Sequence, residues 1–354
     1  GALWLAVSSA LVTAQHNQGH VATFEGAINK VVTTLAGLLF VDDVDLISFS
    51  QNQGISPESI VTRLQEQVNT WQANLWTTGG ALQPAKCSYS IAAFGWKNGK
   101  HYYHTATSFP TPPLTITGAN GQKVPLARLE VNDPVTVVGV VQAMDGSMKG
   151  QYEAIREKTS RLGGKMRECH LLQKDAWVAL RATAWPSIKY PLPATVFTRD
   201  EGHSLMVPLT KHLLPKLGVN QHMPCAYRYA PASMQGLGIP HPYIEQGIEH
   251  IKHLTTHNKA DTDSGKLLIT TLDYLQLEIG TRQPVLSASF RLFGHLATPS
   301  WIKCLWQFVD SAGISLAAPN HIKIPKASRH NDSFLNDIVS ARSEEHTSEL
   351  QSLW

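Results

Sequence analysis

The sequence predicts an α+β fold, with a partial antiparallel sheet and a helix behind it in the first part of the chain and a mostly helical region from residue 146 onward. Three observations predict it. Apolar runs are broken by tight-turn pairs, Asp42-Asp43 and Asn98-Gly99, as in hairpins. Apolar residues recur at helical spacing from about Ser147. Strands and helices do not alternate regularly, which argues against a doubly wound parallel sheet.

Residues 3–14 read as a helix, and Ala22 to Leu35 as a second helix or a helix plus strand. Leu35-Ala36-Gly37-Leu38-Leu39-Phe40-Val41 is a continuous apolar run typical of a buried strand. Asp42-Asp43 stop it, and Val44 to Phe49 resumes as the return strand. A well-marked helix follows: Ser56 caps it, Pro57 suits its first position, and Glu58 complements the positive helix end. Its core face is Ile60, Leu64, Val68, Trp71 and Leu75, and Gly79-Gly80 end it. Ala81 to Tyr89 reads as extended, and Phe94 to Tyr103 as a hairpin about Asn98-Gly99. Residues 105–125, rich in Thr, Pro and Gly, read as a loop or boundary. Leu126 to Val141 reads as strands. Ser147 to Leu180 is helical, with Ile155, Leu162, Met166, Leu171 and Trp177 as core, until Pro186, Pro191 and Pro193 break it. Further helices are expected at 203–217, 242–257, 263–279 and 298–310.

Of the 354 residues 43% are hydrophobic, which excludes global disorder. Residues 145–189 hold nine Lys/Arg and five Asp/Glu, whereas residues 1–60 hold one Lys and five acids. A basic segment downstream of an acidic one suits a nucleic-acid path leading to a metal site, although solvated helix faces give the same pattern. Cys87, Cys169, Cys225 and Cys304 are far apart and form no CxxC pair, so neither a disulfide framework nor a zinc site is indicated. No apolar run reaches the roughly 20 residues of a membrane span. The opening GALWLAVSSALVTA has the apolar core of a signal peptide but no basic leader, and the absent Met implies a start upstream. Arg342 to Ser352, RSEEHTSELQS, resembles one reading frame of a sequencing adapter. Residues 341–354 are therefore expected to be an artefactual tail.

Two adjacent carboxylates at the end of an apolar strand are costly unless a cation neutralises them, and a hard divalent ion does so. An acidic β-turn is the plainer reading. The neighbouring motifs bear on that choice. Phe40-Val41-Asp42-Asp43-Val44-Asp45-Leu46 resembles the [FY]-[VA]-D-D-x-D-L box of reverse transcriptases of retrotransposons without long terminal repeats. The run from Trp71 through Leu75-Trp76-Thr77-Thr78-Gly79-Gly80-Ala81-Leu82-Gln83-Pro84-Ala85-Lys86-Cys87 resembles the next palm motif of that family. Val138-Gly139-Val140 resembles the hydrophobic-Gly box of its primer-grip hairpin. Gln235-Gly236-Leu237-Gly238-Ile239-Pro240, with Tyr243 and Gln246, resembles a Gly-Gly-Leu-Gly box beyond the palm, with Gln235 in place of the first Gly.

The resemblance implies a partial antiparallel polymerase palm over residues 1–104. It implies a loop and primer-grip-like strands over 105–145, and a mostly α-helical thumb-like region over 146–340. It implies RNA-directed DNA polymerase activity, with Mg²⁺ or Mn²⁺ as cofactor and deoxynucleoside triphosphates, an RNA template and a DNA primer as partners, in an intracellular, nuclear setting without a membrane. Asp42 matches the metal ligand, Asp43 its partner, and Lys86 a lysine proposed to protonate the leaving pyrophosphate. Asp45 is read as hairpin structure. Gly139, Lys149, Arg156, Lys158, Arg161, Lys165 and Arg167 are the candidate nucleic-acid contacts. The family's other essential Asp and its fingers are expected before Gly1, so the chain alone is expected to be inactive and to expose apolar palm surface around residues 1–20. The alternative is a non-enzymatic, decayed or co-opted retroelement remnant that binds nucleic acid. A D-x-D hydrolase built on Asp43 and Asp45 is disfavoured by the missing βαβ alternation. His250, His253 and His257 could share a helix face but lack an H-E-x-x-H pattern, so they are read as satisfied or solvated side chains.

Overall fold

A computed structural model of the chain describes residues 2–40, 43–49, 56–281 and 283–316. The chain divides into two units: residues 1–24 with 32–147, and residues 25–31 with 148 onward.

The first unit opens with α1 (Ala2–Asn17), then β1 (Ala22–Glu25), β2 (Val32–Leu35), β3 (Gly37–Phe40) and β4 (Asp43–Leu46). Helix α2 (Pro57–Thr77) follows. Its Ser56 side chain accepts from Ser59 N at 3.2 Å, and Pro57 holds its first position. Gly79, at φ +81°, lets the chain leave the helix. The remaining strands are β5 (Ser88–Ser90), β6 (Phe94–Lys97), β7 (Lys100–Tyr103), β8 (Thr115–Thr117), β9 (Lys123–Pro125), β10 (Ala127–Leu129), β11 (Val135–Val137) and β12 (Val140–Gln142). One face of α2 buries Trp71 and Leu75 against Leu11, and Val61 and Val68 against Tyr89, Ile91, Leu114 and Ile116. Its glutamines cover a strand edge. Gln65 accepts from Thr115 N and donates to its carbonyl, and Gln72 does the same at Thr117. These are the backbone groups of β8 that face away from β9, so two amide side chains stand in for a neighbouring strand.

The second unit is helical: α3 (Lys149–Glu168), α4 (Gln173–Val178), a π-helical turn at Ala179–Ala184, α5 (Trp185–Lys189), α6 (Arg199–Lys216), α7 (Cys225–Tyr229), α8 (Pro242–Lys259), α9 (Asp263–Ile279), α10 (Phe290–Phe293) and α11 (Trp301–Ser311). Helix α6 starts at a capping box, Thr198 with Glu201, and holds Pro208 and Pro215 inside it. Each proline costs about 3 kcal/mol in a helix interior. Burial of Leu205, Met206, Leu209, Leu213 and Leu214, at about 1.5–3 kcal/mol each, outweighs both. That core also holds Ile155, Leu180, Ile188 and Phe197. A second core gathers Leu254, Leu275, Leu305 and Trp306, whose indole N–H donates to Ala288 O at 2.8 Å. Asp273, fully buried, accepts from Ile28 N and Asn29 N at 3.1 and 2.9 Å and so caps the turn of residues 25–31.

The α+β class and the helices match the sequence reading, and five details correct it. Ala22 to Leu35 is two strands, not a helix; the β-branched run Val31 to Thr34 and the left-handed Lys30 (φ 60°) favour a turn between strands. Residues 105–125 contain the β8–β9 hairpin, turning at Gly121 (φ +77°). The helical path does not stop near Leu180 but runs to Lys189, because a wide π turn moves aside the carbonyl that the ring of Pro186 would strike. The expected antiparallel palm sheet is not continuous among the described residues. The twelve strands form six two-stranded sheets, and β5 pairs with β10 in parallel. Strands of three or four residues are too short to recruit a third partner once a helix or loop covers the edge. Of the apolar surface expected around residues 1–20, the side chains of residues 1–7 lie outside the described residues, and residues 8–20 do not form one: Leu11 is buried, and the exposed positions include Ser9, Thr13, His16, Asn17 and Gln18.

Candidate metal and nucleic-acid site

Strands β3 and β4 pair antiparallel, with Phe40 opposite Asp43, Leu39 opposite Val44 and Leu38 opposite Asp45. Period-two alternation then sorts the hairpin into two faces. Leu39, Val44 and Leu46 pack toward Leu11, Trp71 and Leu75. Asp43 and Asp45 share the other face with Leu38, and all three are exposed. Val41 and Asp42, the predicted ligand, lie outside the described residues. Partial desolvation raises the pKa of Asp45 although its side chain is exposed, and the like charge of Asp43 raises it further. A Cβ on Gly37 would lie 2.4 Å from the Asp45 carbonyl, so only glycine lets the strands close there.

A residue that sequence reasoning missed holds this hairpin in place. Gln67, buried on α2, donates to Ala36 O at 2.9 Å and Ile47 O at 3.2 Å, the two residues flanking the hairpin's open end. Its own carbonyl accepts from Gln15 Nε2 at 3.1 Å. A polar residue inside an apolar helix stripe is the signal that could have found it. Gln67→Leu removes a donor from buried carbonyls, and its expected cost is about 1–3 kcal/mol. Urea unfolding measures that loss, and the amide shifts of Asp43 and Asp45 should move with it.

Lys86 ends the exposed 3₁₀ turn Pro84–Lys86, ahead of β5. Among the described residues no hydrogen bond or ion pair joins it to Asp43. The predicted primer-grip hairpin is β11–β12, with Val137 opposite Val140. Its two turn residues both have positive φ, 49° at Val138 and 75° at Gly139. Gly139 suits a type I′ turn, whereas a β-branched residue at Val138 stores strain there.

The six predicted cations of α3 do not form one row. At 3.6 residues per turn Lys149, Arg156 and Arg167 lie along one edge of the exposed face and Lys158, Arg161 and Lys165 along the other, with Glu153 and Glu157 between them. Lys158 donates to Ser187 O at 3.0 Å, and Arg167 pairs with Glu168 at 3.4 Å.

The Gln235 box is a backbone and packing motif. Gln235 and Gly238 adopt left-handed φ of 61° and 63°. A Cβ on Gly236 would lie 2.1 Å from Ala230 O. Gln246 is buried, accepting from Phe197 N and Thr195 Oγ1 and donating to Phe197 O. The three histidines of α8 do not converge. His250 is fully buried against Trp301, whereas His253 and His257 stack on each other, their ring centres 5.8 Å apart. Among the described residues no three His, Cys, Asp or Glu side chains gather to hold a metal ion. No helix among them is long and apolar enough to cross a membrane. No protein-family model, curated protein or solved structure matches the chain.

Proposed function

We propose that this chain is part of an RNA-directed DNA polymerase, spanning the metal-binding hairpin of the palm and a thumb-like helical region. The observation that carries the reading is the β3–β4 hairpin. Its apolar face packs on a helix, and its other face presents the carboxylates of Asp43 and Asp45 beside the Asp42 position. The donor chemistry fits a hard divalent cation: oxygen ligands only, and two carboxylates on one face of the hairpin. Asp42 and Asp43 would hold Mg²⁺ or Mn²⁺. When bound, the ion supplies Lewis-acid activation of the primer hydroxyl and charge neutralisation at the phosphates. Asp45 adds negative potential to that face without serving as a ligand. Lys86 would donate a proton to the departing pyrophosphate. Gly139 and the cations of α3 would contact the primer–template backbone, independent of sequence.

Two-ion chemistry needs a further carboxylate beside Asp42 and Asp43, and among the described residues no third carboxylate gathers with Asp43, so weak ion binding and no primer extension are expected. Mn²⁺-induced broadening of backbone amide signals tests the metal half. Broadening centred on Asp43 to Asp45, and lost in Asp42→Ala, is the expected result. No broadening at millimolar Mn²⁺, or broadening indifferent to Asp42→Ala, would leave the non-enzymatic remnant as the better reading. Primer extension by a polypeptide lengthened upstream, with Asp42→Ala as the inactive control, tests the polymerase half.

A further inference from the structure

The β6–β7 hairpin carries a surface that the proposed chemistry does not use. Phe94 faces Tyr103 and Trp96 faces His101 across the ladder, so these four rings share one face. All four are exposed: Phe94 retains 61% of its surface, Trp96 69% and Tyr103 38%. The rings meet edge to face, Trp96 on His101 at 71° and His101 on Tyr103 at 83°, an arrangement that leaves ring faces open. The paired residues Lys97 and Lys100 stand at the tip, flanking the Asn98-Gly99 turn. Residues 67–129 contain no Asp or Glu at all, but they hold Lys86, Lys97, Lys100, Lys123 and Arg128. Arg128 is turned inward to Phe109 O, so the lysines dominate the exposed charge of this stretch.

Exposed aromatic rings in an acid-free, lysine-flanked setting match one ligand chemistry: stacked bases on a polyanionic backbone. The geometry points to the β6–β7 hairpin as a platform for single-stranded nucleic acid, with bases stacking on Trp96 and Phe94 and the backbone turning past the tip, where Lys97 and Lys100 project from the opposite face of the ladder. The inference rests on the nucleic-acid reading above for its biological role. A single strand fits better than a duplex, whose bases are already stacked. An apolar peptide could use the rings but would gain nothing from the tip lysines or the missing acids.

Fluorescence anisotropy of labelled RNA and DNA single strands of about 12 nucleotides, titrated with the full chain, tests the platform. Trp96→Ala is expected to weaken binding about tenfold, and Trp96→Tyr to recover most of it. Trp96→Leu keeps apolar bulk in the strand without a ring, and is expected to stay weak. The platform is overturned if Trp96→Ala binds as the unaltered chain does, or if Leu rescues as well as Tyr. It is equally overturned if a duplex of the same length binds as tightly, or if a proline-rich peptide is held where the oligonucleotide is not. Failure of the polymerase reading shows instead as absent primer extension in the lengthened polypeptide and leaves these binding results untouched.

Discussion

At pH 4 the second unit is expected to be about 6 kcal/mol less stable than at pH 7.5, because two buried histidines stay neutral in the fold. His250 is fully enclosed, its ring 4.5 Å from that of Trp301, and neither ring nitrogen finds a partner among the described residues. Burial brings its pKa down to about 4, and the nearby His253 adds to the effect. The Thr195 backbone opposes the shift but lies outside hydrogen-bond geometry. His241 caps α8, accepting from Tyr243 N at 3.2 Å, with the Tyr229 ring 4.6 Å away. Its burial, then His203 and Arg199, likewise lower it to about 4. The sign follows from which state takes the proton. The unfolded chain protonates each imidazole near pH 6.5, and the folded chain only near 4. Stability is therefore full above about pH 6.5 and is lost as pH falls toward 4, by about 3 kcal/mol for each histidine. Such a loss rivals the whole net stability of a typical domain. Urea unfolding followed by tryptophan fluorescence at several pH values reads it, since Trp301 adjoins His250. His250→Leu should abolish about half of the pH dependence. A curve unchanged by that substitution would show that His250 is not held neutral.

The same helix shows where sequence stops informing. Its extent was legible, because Pro242 and the spacing of apolar residues mark it. The fate of its histidines was not. A spacing of i, i+3 and i+7 places side chains near one another, but burial depends on which element covers them, and here Trp301 from α11 covers only His250. The existence of the β3–β4 hairpin was legible for a comparable reason, from an apolar run, an acidic stop and a return strand, but its register was not: Asp43, read as a turn residue, is the first residue of β4 opposite Phe40, and Leu38 of the run read as buried is exposed. What holds it was not legible, because Gln67 acts through backbone groups distant in sequence. The reading of residues 105–125 failed similarly. Pro110, Pro112, Pro113, Gly118 and Gly121 masked the short β-branched run Thr115-Ile116-Thr117, and glutamine amides from α2 complete the far edge of β8. The cations of α3 were countable in the sequence, yet helical geometry divides them around Glu153 and Glu157.

Gly163 and Gly164, adjacent in the middle of α3, should respond to substitution in opposite directions. By intrinsic propensity alone, each glycine in a helix interior costs about 1 kcal/mol relative to alanine. A Cβ on Gly164 meets nothing within 4 Å, so Gly164→Ala should recover that propensity and raise stability by up to about 1 kcal/mol. A Cβ on Gly163 would fall 2.3 Å from the Pro208 carbonyl oxygen and 3.1 Å from its carbon. This is backbone of α6, so no side chain can rotate away, and α3 and α6 must part. Overpacking of this kind costs about 1–3 kcal/mol, and a rigid neighbour puts it at the upper end. Gly163→Ala should then lose about 1–2 kcal/mol net of the propensity gain, and Gly163→Val about 3 kcal/mol or more. The separation matters beyond the helix pair, because Ile155 and Met166 of α3 share a core with Leu205, Leu209 and Leu213 of α6. Denaturant midpoints for the three variants decide the matter. If Gly163→Ala proved as stable as Gly164→Ala, α3 and α6 would not approach as closely as described, and the seating of the α3 cations would need revision with them.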